Sequence, residues 1–170
     1  MAGQRKPRQP RPALPPRGLR PRYSPAEVLR MQLAHVGNLD GIATGRADEG
    51  VIWDVIGNAL TWSYVADKLG TFQSEMHLQV LLATRLVERW GRTGRVGFSG
   101  PDYQLAKEGV VVMDALAELT DIDTAREGAR WAKAEQARMV ALADAERALQ
   151  AANASHPTES TEIHHQDAQA

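Results

Sequence analysis

Apolar residues recur every three or four positions through most of this chain, the spacing that places them along one face of an α-helix. Glycine, proline and aspartate divide the pattern into five such segments. No segment shows the alternation of apolar and polar residues that a strand in a sheet needs. Five amphipathic helices with short connections predict an all-α fold, a five-helix up-and-down bundle.

Capping residues and glycines set the predicted helix limits. The first helix is predicted between Ser24 and Gly45, the second between Asp48 and Gly70, and the third from about residue 72 to residue 92. The fourth begins at Ser99 or Asp102 and ends at Asp121, and the fifth runs from Asp123 to Ala154. In the first helix we expect an apolar face of Val28, Leu29, Val36, Leu39 and Ile42. Leu78 and Leu81 widen the apolar face of the third helix, which predicts that it is the most buried.

The fifth helix is rich in alanine, with 12 alanines among the 30 residues from Ala125 to Ala154. Alanine favours helix, but it offers little surface for packing, so we expect this helix to project beyond the bundle. Residues 1–22 are rich in arginine and proline and carry few large apolar side chains, which predicts a disordered arm. The predicted organisation is this arm, a helical domain at 23–153, and a disordered polar tail at 154–170.

The net charge of −1 conceals a strong asymmetry between the arm and the rest of the chain. The arm carries seven cations and no acid: Arg5, Lys6, Arg8, Arg11, Arg17, Arg20 and Arg22. The remainder has 13 basic and 21 acidic side chains, a net charge of −8. Such an arm can bind an anionic partner such as nucleic acid, or it can fold back on the acidic body. Its proline spacing also fits receptors for polyproline segments.

A second group of cations lies on the third helix and just beyond it. Arg85, Arg89 and Arg92 share one helix face, and Arg95 follows in the glycine-rich turn. This face could track phosphates, or it could be an ordinary solvated helix surface. Arg126, Arg130 and Lys133 repeat the spacing on the fifth helix and leave the same two interpretations open.

Residues Leu60–Gly70 resemble the first helix and turn of a helix-turn-helix motif, with Ala66 four residues before Gly70, and the whole candidate motif is Leu60–Gln79. The second helix of such a motif needs basic or amide groups near its start. Here only Gln73 qualifies, and the helix then continues with an apolar face. The sequence therefore favours a plain helical hairpin, and a transcription regulator remains the alternative.

The residues offer no catalytic constellation. The absence of cysteine excludes a disulfide framework, a thiolate zinc site and a cysteine nucleophile. His35 has no acid or base partner at helical spacing, and His164-His165 lacks a rigid frame. We therefore expect no enzyme, metal or cofactor. The chain contains no run of about 18 apolar residues, so no membrane-spanning helix is predicted. We expect a cytoplasmic protein.

Four features resemble a group of small prophage-borne helical proteins of proteobacteria. They are Arg5-Lys6-Pro7-Arg8, a helical pair turning near Gly70, Arg92-Thr93-Gly94-Arg95, and a following helix with Leu105, Met113 and Asp114. The resemblance covers roughly residues 5–135 and implies a phage or mobile-element context within a host cell. It implies no activity, so no functional residue carries over.

Together these patterns predict a non-enzymatic accessory protein that acts by binding. The helical body would contact a protein, and the arm would contact nucleic acid. Self-association of the body is compatible with the same pattern. A pure interaction module that inhibits a host or defence protein is the alternative, because an acidic body can mimic nucleic acid.

Overall fold

The structure is a computed structural model that describes residues 20–155, and the five predicted helices are present there. They are α1 (Pro25–Ala43), α2 (Glu49–Leu69), α3 (Gln73–Thr93), α4 (Gly100–Leu119) and α5 (Ile122–Ser155). No strand is assigned between residues 20 and 155, where one isolated bridge joins Arg22 to Asp121. The predicted all-α bundle is confirmed. Residues 1–19 and 156–170, which hold most of the predicted arm and tail, lie outside the described residues.

Short polar side chains fix where the helices begin. Ser24 and Glu27 form the predicted capping box at α1, and Asp48 caps α2. The predicted cap of α5 is wrong. Asp121, two residues before Asp123, accepts a hydrogen bond of 2.9 Å from the amide three residues ahead. The helix therefore starts earlier, because Asp121 satisfies an amide of the first turn that would otherwise lack a partner.

The turn between α2 and α3 requires two left-handed backbone conformations. Gly70 adopts φ 68° and ends α2, as its sequence position predicts. Phe72 adopts φ 58°, a conformation that costs a residue with a side chain about 1–2 kcal/mol. Its half-buried ring packs against the hydrophobic core, which offsets that cost.

The central element of the bundle is α2, which contacts each of the other four helices. Seven of its residues are buried: Ile52, Ile56, Ala59, Leu60, Trp62, Val65 and Ala66. The prediction that α3 is the most buried helix is wrong. One side of α3 faces solvent, and Leu78 and Leu81 on it are exposed. Apolar density predicted burial incorrectly because it does not show how many neighbours a helix has.

Although α4 and α5 are consecutive, they do not pack along each other, and α5 returns along α2 instead. Small residues allow the close approach, since Ala125, Gly128 and Ala132 of α5 are buried. A Cβ atom built on Gly128 would lie 2.8 Å from the carbonyl oxygen of Thr61. The backbones of α2 and α5 are therefore as close as this glycine allows.

The C-terminal part of α5 extends beyond the bundle. Every residue from 140 to 153 is exposed, including Leu142 and Leu149. At 1.5 Å per residue this part of the helix is about 21 Å long. The predicted projection is confirmed.

Two of the five apolar residues predicted to form the buried face of α1 are instead exposed. Val28 and Ile42 are buried, but Leu29 and Val36 are 54% and 53% exposed. Leu33, which is 63% exposed, lies between them at helical spacing. These three residues form a second apolar face of the helix, called here the α1 face. The periodicity did not distinguish one wide stripe from two separate faces.

Candidate nucleic-acid interface

The end of the basic arm is held against the turn between α4 and α5. Arg20 Nη1 lies 3.3 Å from Asp121 Oδ2, and the amide of Ile122 donates to the carbonyl oxygen of Pro21 at 2.8 Å. Arg22 forms the isolated backbone bridge to Asp121. Residues 20–22 therefore depart from the predicted disorder. This is one instance of the arm contacting its own acidic body, the second interpretation of the charge asymmetry.

Of the seven arm cations, the structure places Arg20 and Arg22. The other five, Arg5, Lys6, Arg8, Arg11 and Arg17, lie outside the described residues. Arg20 contacts Asp121, so it lies at the end of the bundle where α4 finishes and α5 begins.

Two of the four predicted arginines around α3 lie beside Asp102, and one of them also holds the following turn in place. The α3–α4 turn, residues 94–99, is secured by Arg89, which donates to the carbonyl oxygen of Gly97. The same guanidinium group lies 3.3 Å from Asp102 Oδ2, and Arg85 lies 3.9 Å from Asp102 Oδ1. Hydrogen bonding to Ser99 lowers the pKa of Asp102, and the guanidinium groups of Arg89 and Arg85 lower it further. Asp102 therefore offsets one of these two positive charges: Arg89 is bonded to it and to the turn, whereas Arg85, 53% exposed and 3.9 Å away, is paired more loosely.

The other two arginines, Arg92 and Arg95, point into solvent. Both are exposed, and neither guanidinium group has an ion-pair or hydrogen-bond partner within residues 20–155. They are called here the turn cations. The structure thus divides the predicted set by role: Arg89 secures the turn and Arg85 pairs with Asp102, while Arg92 and Arg95 remain available to a ligand.

An aromatic pair lies beside the turn cations and was missed by sequence reasoning. The rings of Phe98 and Tyr103 have centroids 5.8 Å apart and are tilted by 45°. The ammonium group of Lys107 lies 5.3 Å from the centroid of the Tyr103 ring. An open groove is lined by Phe98 of this pair, together with Arg89 and Arg95. The spacing of Tyr103 and Lys107, four apart on α4, is the signal that could have found this cluster.

The candidate helix-turn-helix segment forms a long helical hairpin in the bundle. Gln73, its one candidate base-reading residue, donates a hydrogen bond of 3.1 Å to Asp67. Met76 and Gln79 are buried, and α3 then packs along α2 and α4. An aspartate beside the first turn of α3 would repel the phosphates of a duplex. The geometry favours the plain hairpin that the sequence already favoured.

His35 has an acidic neighbour on another helix, which spacing within its own helix did not reveal. His35 is 6% exposed, and its Nδ1 lies 3.7 Å from Asp114 Oδ1 across the contact between α1 and α4. Neither atom has a hydrogen-bond partner among the described residues. Burial lowers the pKa of His35, and burial together with Glu118 raises the pKa of Asp114. A small cavity of about 40 Å³ borders His35, too small for an organic substrate.

The cations of α5 are distributed differently from those of the turn. Arg126 lies 3.8 Å from Asp123, whereas Arg130 and Lys133 are exposed and without a partner in the described part of the chain. Arg130 and Lys133 therefore serve as a matched comparison for the turn cations.

No protein family model, curated protein or solved structure matches this chain. Between residues 20 and 155, no helix has the length and apolar character needed to cross a membrane. No group of three or more His, Asp or Glu side chains in that range is placed to hold a metal ion. Among the described residues, the α3–α4 turn and the end of α3 combine two exposed, unpaired arginines with a nearby aromatic pair.

Proposed function

We propose that this protein is a non-enzymatic phage or prophage accessory protein that binds nucleic acid through its basic arm and its turn cations. The phage context comes from the resemblance of roughly residues 5–135. One observation supports the binding function most directly. Arg92 and Arg95 are exposed and have no partner among the described residues, and they lie at a turn that Arg89 secures. The end of α3 and the secured turn order the backbone that carries both arginines before any ligand arrives, which lowers part of the entropic cost of binding phosphate.

The arm supplies further charge to the same ligand. Phosphate contacts release counterions, so the logarithm of the binding constant falls linearly with the logarithm of the salt concentration. The arm would add contacts without adding sequence preference, because arginine and proline in an extended chain read no base edges. The body, with its net negative charge, would keep nucleic acid away from its remaining surface.

The test compares binding of a fluorescent oligonucleotide by anisotropy between about 50 and 200 mM salt. Removing residues 1–19 retains Arg20 and the Pro21 contact, so the helical fold and its melting temperature should not change. We expect the salt slope to decrease by up to about 3.5, one contribution of about 0.7 for each of five lost cations on a single strand. Equal binding by the truncated and full-length proteins at low salt would contradict the role of the arm.

The turn cations are tested by the double variant Arg92→Gln/Arg95→Gln, whose salt slope should fall by about 1.4. The matched control is Arg130→Gln/Lys133→Gln, which removes the same charge from exposed positions on α5. The control should bind like the wild type. If both double variants lose the same affinity, net charge rather than the turn explains the binding.

A second candidate function has its own supporting observation, the exposed α1 face. Leu29, Leu33 and Val36 present an apolar stripe, and large exposed apolar patches often mark protein interfaces. This supports a protein-interaction module acting on a host protein. A stoichiometric partner captured from nuclease-treated lysate by wild type, and lost in Leu29→Gln/Leu33→Gln, would favour it. Equal capture by the wild type and the double variant would contradict a role for the α1 face.

A further inference from the structure

We infer that the α3–α4 turn binds single-stranded nucleic acid, with an unpaired base stacking on the aromatic pair Phe98 and Tyr103. This inference rests on the proposed function and narrows its ligand class from nucleic acid in general to unpaired strands. An unpaired nucleotide offers two groups for recognition, a phosphate and a flat base with both faces accessible. The turn offers the matching pair, a guanidinium group and an aromatic ring.

The two recognition elements border one groove. Arg95 and Phe98 both line it, and the Phe98 ring packs against Tyr103 at 5.8 Å. Tyr103 is 39% exposed, so part of its side chain remains reachable from solvent. The ammonium group of Lys107 lies over the Tyr103 ring and would move aside to a phosphate when a base stacks there. Proteins that bind unpaired strands commonly combine a basic groove with aromatic side chains on which bases stack.

A second aromatic pair in the protein is less suited to this ligand. Tyr64 and Trp131 have ring centroids 5.8 Å apart, and Trp131 is 38% exposed, almost the same as Tyr103. However, the Tyr64 hydroxyl donates to Glu127 at 3.3 Å, and this carboxylate forms no ion pair within residues 20–155, whereas Asp102 beside Tyr103 is paired with Arg89. A nearby carboxylate repels the phosphate that must accompany any stacked base.

Duplex nucleic acid fits the turn less well than a single strand. Bases in a duplex are already stacked on each other, and recognition in the major groove needs a helix or ribbon that presents polar groups to the base edges. The start of α3 presents Gln73, which is engaged by Asp67, and no cation. The aromatic pair contributes nothing to a duplex, so only the charge of the turn would act on it.

The experiment measures anisotropy with oligothymidine and oligouridine of about 15 nucleotides and with a hairpin duplex of equal phosphate number. The test variant is Tyr103→Leu, which keeps an apolar side chain against Phe98 but removes the ring. We expect it to bind both single strands roughly 5- to 150-fold more weakly, the range that corresponds to one lost stacking contact. Binding of the duplex should not change.

Three controls make the result interpretable. Tyr103→Phe keeps the ring and should retain binding, while Trp131→Leu removes an equally exposed ring elsewhere and should bind like the wild type. Thermal melting of each variant checks that it folds. Loss of affinity in Trp131→Leu, or none in Tyr103→Leu, would overturn the inference.

Failure of this inference differs from failure of the proposed function. If wild type binds duplex and single strands equally and Tyr103→Leu changes neither, stacking is excluded while charge-driven binding stands. If no oligonucleotide binds even at low salt, the proposed function fails, and the inference fails with it.

Discussion

Replacing Gly128 with alanine tests the close contact of α5 with α2. Alanine is favoured over glycine in a helix by about 1 kcal/mol, so the substitution would stabilise an unconstrained helix. At Gly128 the new Cβ would lie 2.8 Å from the Thr61 carbonyl oxygen and 3.3 Å from Tyr64 Cδ1. A separation of 2.8 Å between a carbon and a backbone oxygen does not persist, so α5 must move away from α2. Such overpacking costs about 1–3 kcal/mol.

Gly91→Ala is the matched control, since Gly91 is also helical and its Cβ would meet nothing within 4 Å. We expect Gly91→Ala to raise the free energy of unfolding by about 1 kcal/mol. Gly128→Ala should range from no change to a loss of about 2 kcal/mol, placing it about 1–3 kcal/mol below the control. Urea unfolding followed by far-UV circular dichroism measures both. If Gly128→Ala proves as stable as Gly91→Ala, the close approach of the two helices is wrong.

Two further predictions concern His35 and the projecting part of α5. Burial lowers the pKa of His35 in the folded protein. As the pH falls, His35 is therefore protonated in the unfolded chain before it is protonated in the folded one. The free energy of unfolding should then fall as the pH drops below about 6.5. The His35→Gln variant should show a flatter pH dependence in urea titrations, whereas stabilisation of the wild type on acidification would mean that Asp114 dominates. Removing residues 141–170 should leave the melting temperature unchanged because residues 140–153 are exposed. A loss above about 1 kcal/mol would show that α5 contributes to the bundle beyond residue 140.

Local signals in the sequence were enough to predict the helices. Capping by Ser24 and Asp48 and the stop at Gly70 depend on residues close together in the chain, so their chemistry identifies them directly. The cap of α5 was misassigned because Asp121 and Asp123 are chemically alike and two positions apart. Which of them caps is decided in part by the Pro21 backbone, which accepts a hydrogen bond from Ile122 and joins a distant segment to this turn.

The arrangement of the helices could not be predicted from periodicity. Apolar spacing shows that a helix has a face to bury, but not which helix will cover it. Leu29 on the α1 face and Leu78 on α3 were therefore assigned to buried faces, although nothing in residues 20–155 covers them. The pairing of α5 with α2 depends on Gly128. The need for glycine at this position becomes apparent only in the folded protein, where it lies against the carbonyl oxygen of Thr61.

The candidate site was predicted in part. All four arginines from Arg85 to Arg95 were found by spacing, but spacing does not distinguish a paired from a free guanidinium group. That distinction depends on Asp102, which reaches back from α4 to two of them. The aromatic pair was missed because Phe98 lies in the glycine-rich turn and Tyr103 lies in α4, so no helical spacing relates them.

The most direct measurement is to map where a bound strand touches the protein. An oligothymidine carrying photoreactive thiothymidine, crosslinked to the full-length chain and analysed by mass spectrometry, reports contact residues without any substitution. We expect crosslinks in residues 1–19 and at Phe98 or Tyr103, lost at high salt. Crosslinks confined to α5 or the α1 face would contradict binding at the turn.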